Sequence, residues 1–420
     1  MNYRQLHTLT YRFFVLLTVV PLWSLAGHIG SVKVMLPVEP LMILYLPLLL
    51  ITAWIRRKKW QWQPLDAGVL ALWTAGVISI PFAQSPLIAG KAAAVWGAYA
   101  LLFYGSWRIL PMAHRERNNL WKAYTYSYGA LMVYAVFHLI SLGFGYHNSY
   151  DMAQPFSQGH TLLVAAGFPA FLRSLHRFTQ RSNPVPHFSF LLFFTFFTAV
   201  SFSRLYWLIL PFFVFLYLAY HWRKARWWLV GAAVLAIMGG FIALEQIKAE
   251  RAARKAWEDP NDHKTITAQI LSITQWNAND SNLDRLNRWK IGYLMFQDHP
   301  VTGVGWNNYF HVFNDYPTQV TFYSDERVGK TENAHNLYLG WLSELGLVGV
   351  IGGLLFLVSQ WLQWWRIRHH RDQFLVVAFL LNFLLLGMIE DFQFYEKILP
   401  YWLFTLGWIV AMAAPKRKIV

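Results

Sequence analysis

The chain is built from long apolar runs separated by short polar breaks. The runs fall at about 11–29, 36–55, 65–83, 88–109, 120–142, 157–175, 188–202, 204–221, 227–244, 335–358, 374–390 and 398–414. Each is close to the roughly 20 residues that a helix needs to cross a hydrocarbon core about 30 Å thick. The pattern predicts an all-α integral membrane protein with about twelve transmembrane helices. The first run starts near Tyr11 and continues to about Gly27 without a small-residue cleavage site, so it is expected to stay in the membrane.

Basic residues gather in every second break. They are Arg4 and Arg12; Arg56, Arg57, Lys58 and Lys59; Arg115 and Arg117; Arg173 to Arg181; Arg223, Lys224 and Arg226; Arg366 to Arg371; and Lys416, Arg417 and Lys418. By the positive-inside rule these breaks and both termini face the cytoplasm. The other breaks are short and poor in charge, except for residues 245–334, which must lie on the opposite side. That segment holds about 12 of the 21 acidic residues but about 10 of the 36 basic ones. The formal net charge of +15 therefore orients the chain, and no nucleic-acid partner is needed to explain it. A bacterial inner membrane with the long loop in the periplasm fits best.

Composition points the same way. The chain is 56% hydrophobic, 18% aromatic and 14% charged, against roughly 25% charged in an average soluble domain, which excludes an ordinary soluble globule. Cysteine is absent, which excludes disulfides, thiolate metal ligands and a cysteine nucleophile. No internal repeat is visible, and the largest hydrophilic segment follows the ninth run rather than the sixth. That placement counts against a transporter made of two six-helix halves.

The expected organisation is transmembrane helices 1–9 over residues 1–244, a periplasmic loop domain over 245–334, and transmembrane helices 10–12 over 335–420. Residues 241–257 have helix-forming composition, so the ninth helix is expected to run out of the bilayer and stop at Glu258-Asp259-Pro260-Asn261-Asp262. Ile266, Ile270, Leu271 and Ile273 predict a short helix over 265–275. A third helix is predicted from Ser281, a capping hydroxyl supported by Asp284, to about Gln297, with Arg285, Arg288 and Lys290 as its cations. Its aromatic residues suit the membrane surface. Pro300, Gly303 and Gly305 then force a tight turn, and residues 306–334 read as an irregular loop of functional length.

Three features carry candidate chemistry. Ser203-Arg204 stands between two apolar runs at the external end of a tight helical hairpin; an arginine there either snorkels to lipid phosphate or meets an anionic ligand. Arg288 either pairs with Asp284 one turn earlier or forks onto a phosphate. His335, followed by Asn336, opens the tenth run. The dipole at a helix N-terminus disfavours imidazolium, so His335 is expected to be neutral and ready to accept a proton, unless it merely bonds a neighbour such as Glu332. Glu344 lies about 13 Å further along the helix, where a carboxylate has to be paired or line a polar cavity.

Lesser candidates surround these. Lys91, at the external start of the fourth run, is a third cation for the same anion or a snorkelling lysine. His160 lies near an external helix entry and lines the same cavity in this reading, while Trp289 and Trp306 have aromatic faces suited to stacking on sugar rings. Glu390, Asp391 and Glu396 are the nearest approach to a carboxylate cluster, and read as a charged, solvated helix end rather than a divalent-cation site. No histidine cluster has ligand spacing, so no metal is expected. Two arginines and a histidine on the external face, beside the bilayer, suit a lipid-linked anionic substrate such as a diphosphate.

On these residues the chain resembles the O-antigen ligases and O-antigen polymerases of bacterial envelopes. The resemblance rests on Ser203-Arg204 after a span and on the stretch from Arg288-Trp289 through Asp298-His299-Pro300-Val301-Thr302-Gly303-Val304-Gly305-Trp306-Asn307-Asn308-Tyr309. It rests also on His335-Asn336-Leu337-Tyr338-Leu339 with Glu344, Gly346 and Gly349. It covers the second half of the chain, while the first six spans match in hydropathy alone.

What the resemblance implies is a GT-C-type glycosyltransferase that takes an undecaprenyl diphosphate-linked glycan as donor, with no cofactor, nucleotide or required metal. In a ligase, the favoured reading, the implied acceptor is a sugar hydroxyl of lipid A–core. Arg204 and Arg288 would then bind the diphosphate, and His335 would orient or deprotonate the acceptor hydroxyl for an inverting attack. Asn336, Lys91, Trp289, Glu344 and His160 would complete the substrate site, with membrane lipids as the further partner. A polymerase of the same family, a protein O-oligosaccharyltransferase, and a transporter or flippase are the alternatives.

Overall fold

The computed structural model describes residues 2–29, 32–56, 61–157, 160–180, 184–221, 280–316, 333–370, 372–393, 395 and 397–413. The predicted ninth span, the predicted helix over 265–275 and Glu332 and Glu396 lie outside the described residues. Helix α1 (Tyr3–Val19) starts at Asn2, whose side chain accepts the Gln5 N–H while the Gln5 side chain accepts the Asn2 N–H. A 3-10 turn carries it on to Trp23.

Here the sequence expectation needs correcting. The first run does not stay helical to residue 29, and the second does not begin at 36. Instead β1 (Leu25–Ile29) pairs antiparallel with β2 (Val32–Leu36), Leu25 opposite Leu36 and Ile29 opposite Val32. Gly27 weakens a helix, and Val32 and Val34 at alternate positions favour a strand. Hydropathy alone cannot separate a short apolar strand from the end of a helix.

The rest of the described chain is helical: α2 (Val38–Arg56), α3 (Pro64–Ser79), α4 (Pro86–Tyr99), a π turn over Ala100–Tyr104, α5 (Gly105–Ile109) and α6 (His114–Leu142). These are followed by α7 (Tyr146–Ser149), α8 (His160–Thr179), α9 (Pro184–Val200) and α10 (Arg204–His221). Beyond the undescribed stretch come α11 (Asp280–Asp298), α12 (Tyr309–Val312), α13 (Leu337–Ile367), α14 (Gln373–Gly387) and α15 (Leu399–Ala413).

Among the described residues, six stretches are long and apolar enough to cross a membrane: Tyr3–Trp23, Val38–Ile55, Pro64–Phe82, Pro86–Ile109, His114–Leu142 and Leu337–Ile367. Pro184–Val200, Leu205–His221, Gln373–Gly387 and Leu399–Ala413 are shorter apolar helices. Together with α8 they fall on every predicted run but the ninth. Many apolar side chains face outward, Ile43, Trp54, Leu87 and Phe137 among them, a surface suited to lipid and not to water. The chain is a multi-pass membrane protein.

Helix α15 is the hub. Its residues from Leu399 to Val410 are all buried. Tyr401 stacks on Tyr124 at 4.4 Å, and Trp121 packs against Phe404 and Trp408 at 5.1 and 5.5 Å between ring centres. Helices α3 and α13 approach through small residues, since a Cβ on Gly68 would lie 2.0 Å from Ser359 Oγ and one on Gly352 3.1 Å from Ala75 Cβ. This is how membrane helices pack where apolar burial alone gives no drive for association. Asp66 on α3 and Arg108 on α5 form a buried ion pair at 2.9 Å, and removing either charge would strand the other.

Candidate functional site

The site is organised by a break in α13. At Gly346 the backbone turns to φ 60° and ψ −150°, outside helical space. A regular helix would pair the N–H groups of residues 347 and 348 with the carbonyls of 343 and 344. Here the turn after α11 takes both sets of partners. Leu347 and Val348 donate to Pro300 O and Val301 O, while Ser343 O and Glu344 O accept from Val304 and Gly305. The turn is spliced into the helix, so these four backbone groups keep hydrogen-bond partners despite the break.

Glycine is needed on both sides of the splice. Gly303 has φ 65°, and a Cβ on it would lie 2.3 Å from the Glu344 carbonyl carbon. Glu344 completes the join: its carboxylate accepts the Asn307 N–H at 3.0 Å and the Tyr309 N–H at 3.2 Å. The turn is tied to the α3–α4 junction as well, through Gln84 N to Val304 O at 3.0 Å and Ser85 N to Asn308 Oδ1 at 2.9 Å.

This scaffold fixes α11 against the start of α13. The Tyr309 hydroxyl donates to Arg288 O at 2.6 Å. Asn336 caps α13, its Oδ1 accepting the Tyr338 and Leu339 N–H groups at 3.0 and 3.0 Å, while its Nδ2 donates to Met388 O at 2.9 Å. His335 precedes the cap in a left-handed conformation with φ 47°, and its N–H donates to Asn333 Oδ1 at 2.8 Å. Such backbone strain gathers at functional positions.

The α14–α15 loop supplies the acid that meets this corner. His335 Nδ1 lies 2.9 Å from Glu390 Oε2, and an Arg285 guanidinium nitrogen 3.6 Å from Glu390 Oε1. Three residues along α11, Arg288 Nε bonds Asp284 Oδ2 at 2.8 Å and its Nη1 donates to Asn333 O at 3.1 Å. Burial alone would push the Glu390 carboxyl up, but His335, Arg285 and Arg288 outweigh it and hold the group below its ordinary range. The adjacent Asp391 behaves oppositely: burial, reinforced by the Glu390 charge, pushes it up to about 7 against the opposing hydrogen bonds from Gln393. Its Oδ1 is buried without a hydrogen-bond partner among the described residues.

The predicted residues divide into groups. Arg288 and His335 meet at one corner, and Arg288 keeps both its bond to Asp284 and a bond into the 333–336 segment. Asn336 and Glu344 carry backbone-fixing bonds, Glu344 wholly inside the fold. Trp289 is half-buried on α11, with an indole N–H lacking a partner among the described residues. Lys91 is exposed on α4. Arg204 and His160 open α10 and α8, and their side chains lie outside the described residues. Next to Arg204, Ser203 Oγ bonds Thr161 Oγ1 at 3.2 Å and ties the starts of α8 and α10 together.

Two sequence expectations are overturned. Glu390 and Asp391 are not a solvated helix end, since both are buried beneath His335. Trp306 does not offer a face to a sugar: it is fully buried, donates its indole N–H to Gln393 Oε1 at 3.1 Å, and packs on Trp96 at 5.8 Å. Sequence reading also missed Arg285 as a site residue, although its spacing of three from Arg288 puts both on one helix face. Among the described residues no group of three or more His, Cys, Asp or Glu is placed to hold a metal ion.

Guanidinium groups and an imidazole thus gather where α11 meets the start of α13, in a multi-pass membrane protein. Residues 188–354 match the family model described as O-antigen ligase, which supports placing that part of the chain with the O-antigen ligases and polymerases. The matched stretch includes Arg204, Arg285, Arg288, His335 and Glu344, while Glu390 lies beyond it. No curated protein matches the chain.

Proposed function

We propose that the protein is an O-antigen ligase of GT-C type in the bacterial inner membrane. It transfers a glycan en bloc from undecaprenyl diphosphate to a sugar hydroxyl of lipid A–core at the periplasmic face, without a metal and with inversion. The observation that carries this reading is the meeting of Arg285, Arg288 and His335 at one corner, in a chain whose residues 188–354 match O-antigen ligase.

In this account the two guanidinium groups fork onto the diphosphate and stabilise the negative charge that grows as it leaves. Arg204 at the start of α10 and Lys91 on α4 add cations on the same side of the membrane. His335 receives the proton of the attacking hydroxyl, and Asn336 and Glu344 hold the segment that presents it. Trp289 on α11 and His160, the first residue of α8, are assigned to the sugar site on the family resemblance. The alternating basic breaks support twelve spans with cytoplasmic termini and a periplasmic loop domain over 245–334.

The experiment is a transfer assay with purified protein, lipid-linked glycan and lipid A–core in the presence of EDTA, with Arg288→Ala as control. Glycan on lipid A–core supports the ligase. Lengthening of the lipid-linked glycan with bare lipid A–core identifies a polymerase instead, and neither product across several matched donor and acceptor sets overturns the reading.

A further inference from the structure

His335 does not stand alone at its corner, and the acid behind it has no role in the account so far. We propose that Glu390 is a positioning residue for the transfer reaction: it grips His335 by Nδ1, presents Nε2 to the acceptor hydroxyl, and provides the counter-anion for the imidazolium that forms. The inference rests on the transfer reading given above.

The order of the groups supports this assignment. The His335 side chain is 26% exposed and the Glu390 side chain 7%, so the imidazole faces the approach and the carboxylate lies behind it. That is the arrangement of a base backed by an orienting acid. The contact at 2.9 Å engages Nδ1, which leaves Nε2 as the nitrogen for an incoming hydroxyl.

The carboxylate is also held rigidly. Its loop is bound to α13 through Asn336 and Met388 O, to Trp306 and Trp341 through Gln393, and to the end of the 3-10 turn that follows α1 through Lys397, whose Nζ donates to Ser24 O at 2.8 Å. The loop reaches the segment before His335 as well, where Asn333 Nδ2 donates to the Tyr395 hydroxyl at 3.2 Å. A positioning acid requires such a fixed support. The charged and titratable groups that face the pair are Arg285 and Arg288 on α11, Tyr206 on α10 and Asp391 on the same loop.

The step balances as follows. The acceptor oxygen forms a bond to the anomeric carbon as the anomeric carbon–oxygen bond to the diphosphate breaks, and that electron pair leaves on the lipid diphosphate. The hydroxyl proton passes to His335 Nε2, while the Nδ1 proton stays on the ring, hydrogen-bonded to Glu390. Water later removes the proton from Nε2.

The test compares Glu390→Gln, Glu390→Asp, His335→Ala and the double variant Glu390→Gln/His335→Ala in the transfer assay across pH. Glu390→Gln should lower kcat by about 100-fold or more, leave the donor KM within about threefold, and move the acidic limb of the rate profile to lower pH. Glu390→Asp should recover part of the lost rate. Adding Glu390→Gln to His335→Ala should cost less than about twofold more, because the two act as a unit. A second readout does not need transfer: carbethoxylation of His335 by diethylpyrocarbonate, followed by peptide mass spectrometry, should reach half its maximal rate at lower pH in Glu390→Gln.

A raised donor KM with unchanged kcat would assign Glu390 to the arginines and overturn the proposal, as would full additivity of the two substitutions. Unchanged carbethoxylation would overturn it too. If the native protein transfers nothing, the ligase reading fails by itself, and the carbethoxylation profile still decides whether Glu390 governs His335.

Discussion

Replacing Gly346 with alanine would strike the join between α13 and the 300–305 turn. The backbone there, at φ 60° and ψ −150°, costs a residue with a Cβ about 1–3 kcal/mol. The new Cβ would lie 2.5 Å from Val301 C, 2.6 Å from Val301 O and 2.7 Å from Gly303 N. These are backbone atoms, so no side-chain rotation relieves the clash and the turn has to withdraw. Withdrawal weakens the four backbone hydrogen bonds from Leu347, Val348, Val304 and Gly305, worth about 1 kcal/mol each. The strain and the full loss of the four bonds together come to roughly 5–7 kcal/mol, the upper bound of the destabilisation.

Heating the detergent-solubilised protein while following tryptophan fluorescence measures this directly, because Trp306 and Trp341 border the join. Gly346→Ala should melt about 5 °C or more below the native protein, and its transfer activity should fall with Arg288 displaced. Gly129→Ala is the control: a Cβ at Gly129 on α6 meets nothing within 4 Å, so its melt should stay within about 2 °C. A Gly346→Ala protein that melts and transfers like the native one would refute the splice.

Other expectations follow from the charges. Arg285→Ala and Arg288→Ala should each lower kcat/KM for the donor by about 100-fold or more, with Arg288→Lys recovering part of the loss, in steady-state transfer assays. Asp391 titrates from 3.8 to about 7 on folding, so the native state binds more protons than the unfolded one between those values. Its contribution to stability is therefore complete below pH 4 and lost as pH rises toward 7. Asp391→Asn, which stays neutral, should melt above the native protein at pH 8, and the gap should shrink on acidification to pH 5; a constant gap would show that Asp391 does not titrate this way.

Much of this architecture is legible in the sequence because bilayer thickness forces apolar runs of fixed length. The helix expected from Ser281 to about Gln297 is α11 at Asp280–Asp298, and Pro300, Gly303 and Gly305 do form a tight turn. His335 does stand at the start of the His-bearing helix, although that helix extends to Ile367 rather than 358. The join at Gly346 is invisible to hydropathy, since the run is equally apolar on both sides of the break.

Burial of Glu390 was hidden for a different reason. Its partners come from α11 and from His335, 55 residues away, so only tertiary packing turns a polar helix end into the floor of a site. Trp306 misleads likewise: a loop aromatic reads as exposed until Gly76 on α3 leaves room for its ring, where a Cβ would lie 1.9 Å from it. The hairpin at 25–36 was lost inside apolar runs whose length suited helices.

The most direct measurement is the reaction itself. Purified protein, incubated with undecaprenyl diphosphate-linked glycan and lipid A–core in EDTA, should place the intact glycan on lipid A–core, and His335→Ala should cut that product to a small residual rate while the protein stays folded. Full transfer by His335→Ala, or no glycan on lipid A–core with any matched donor, would contradict the account.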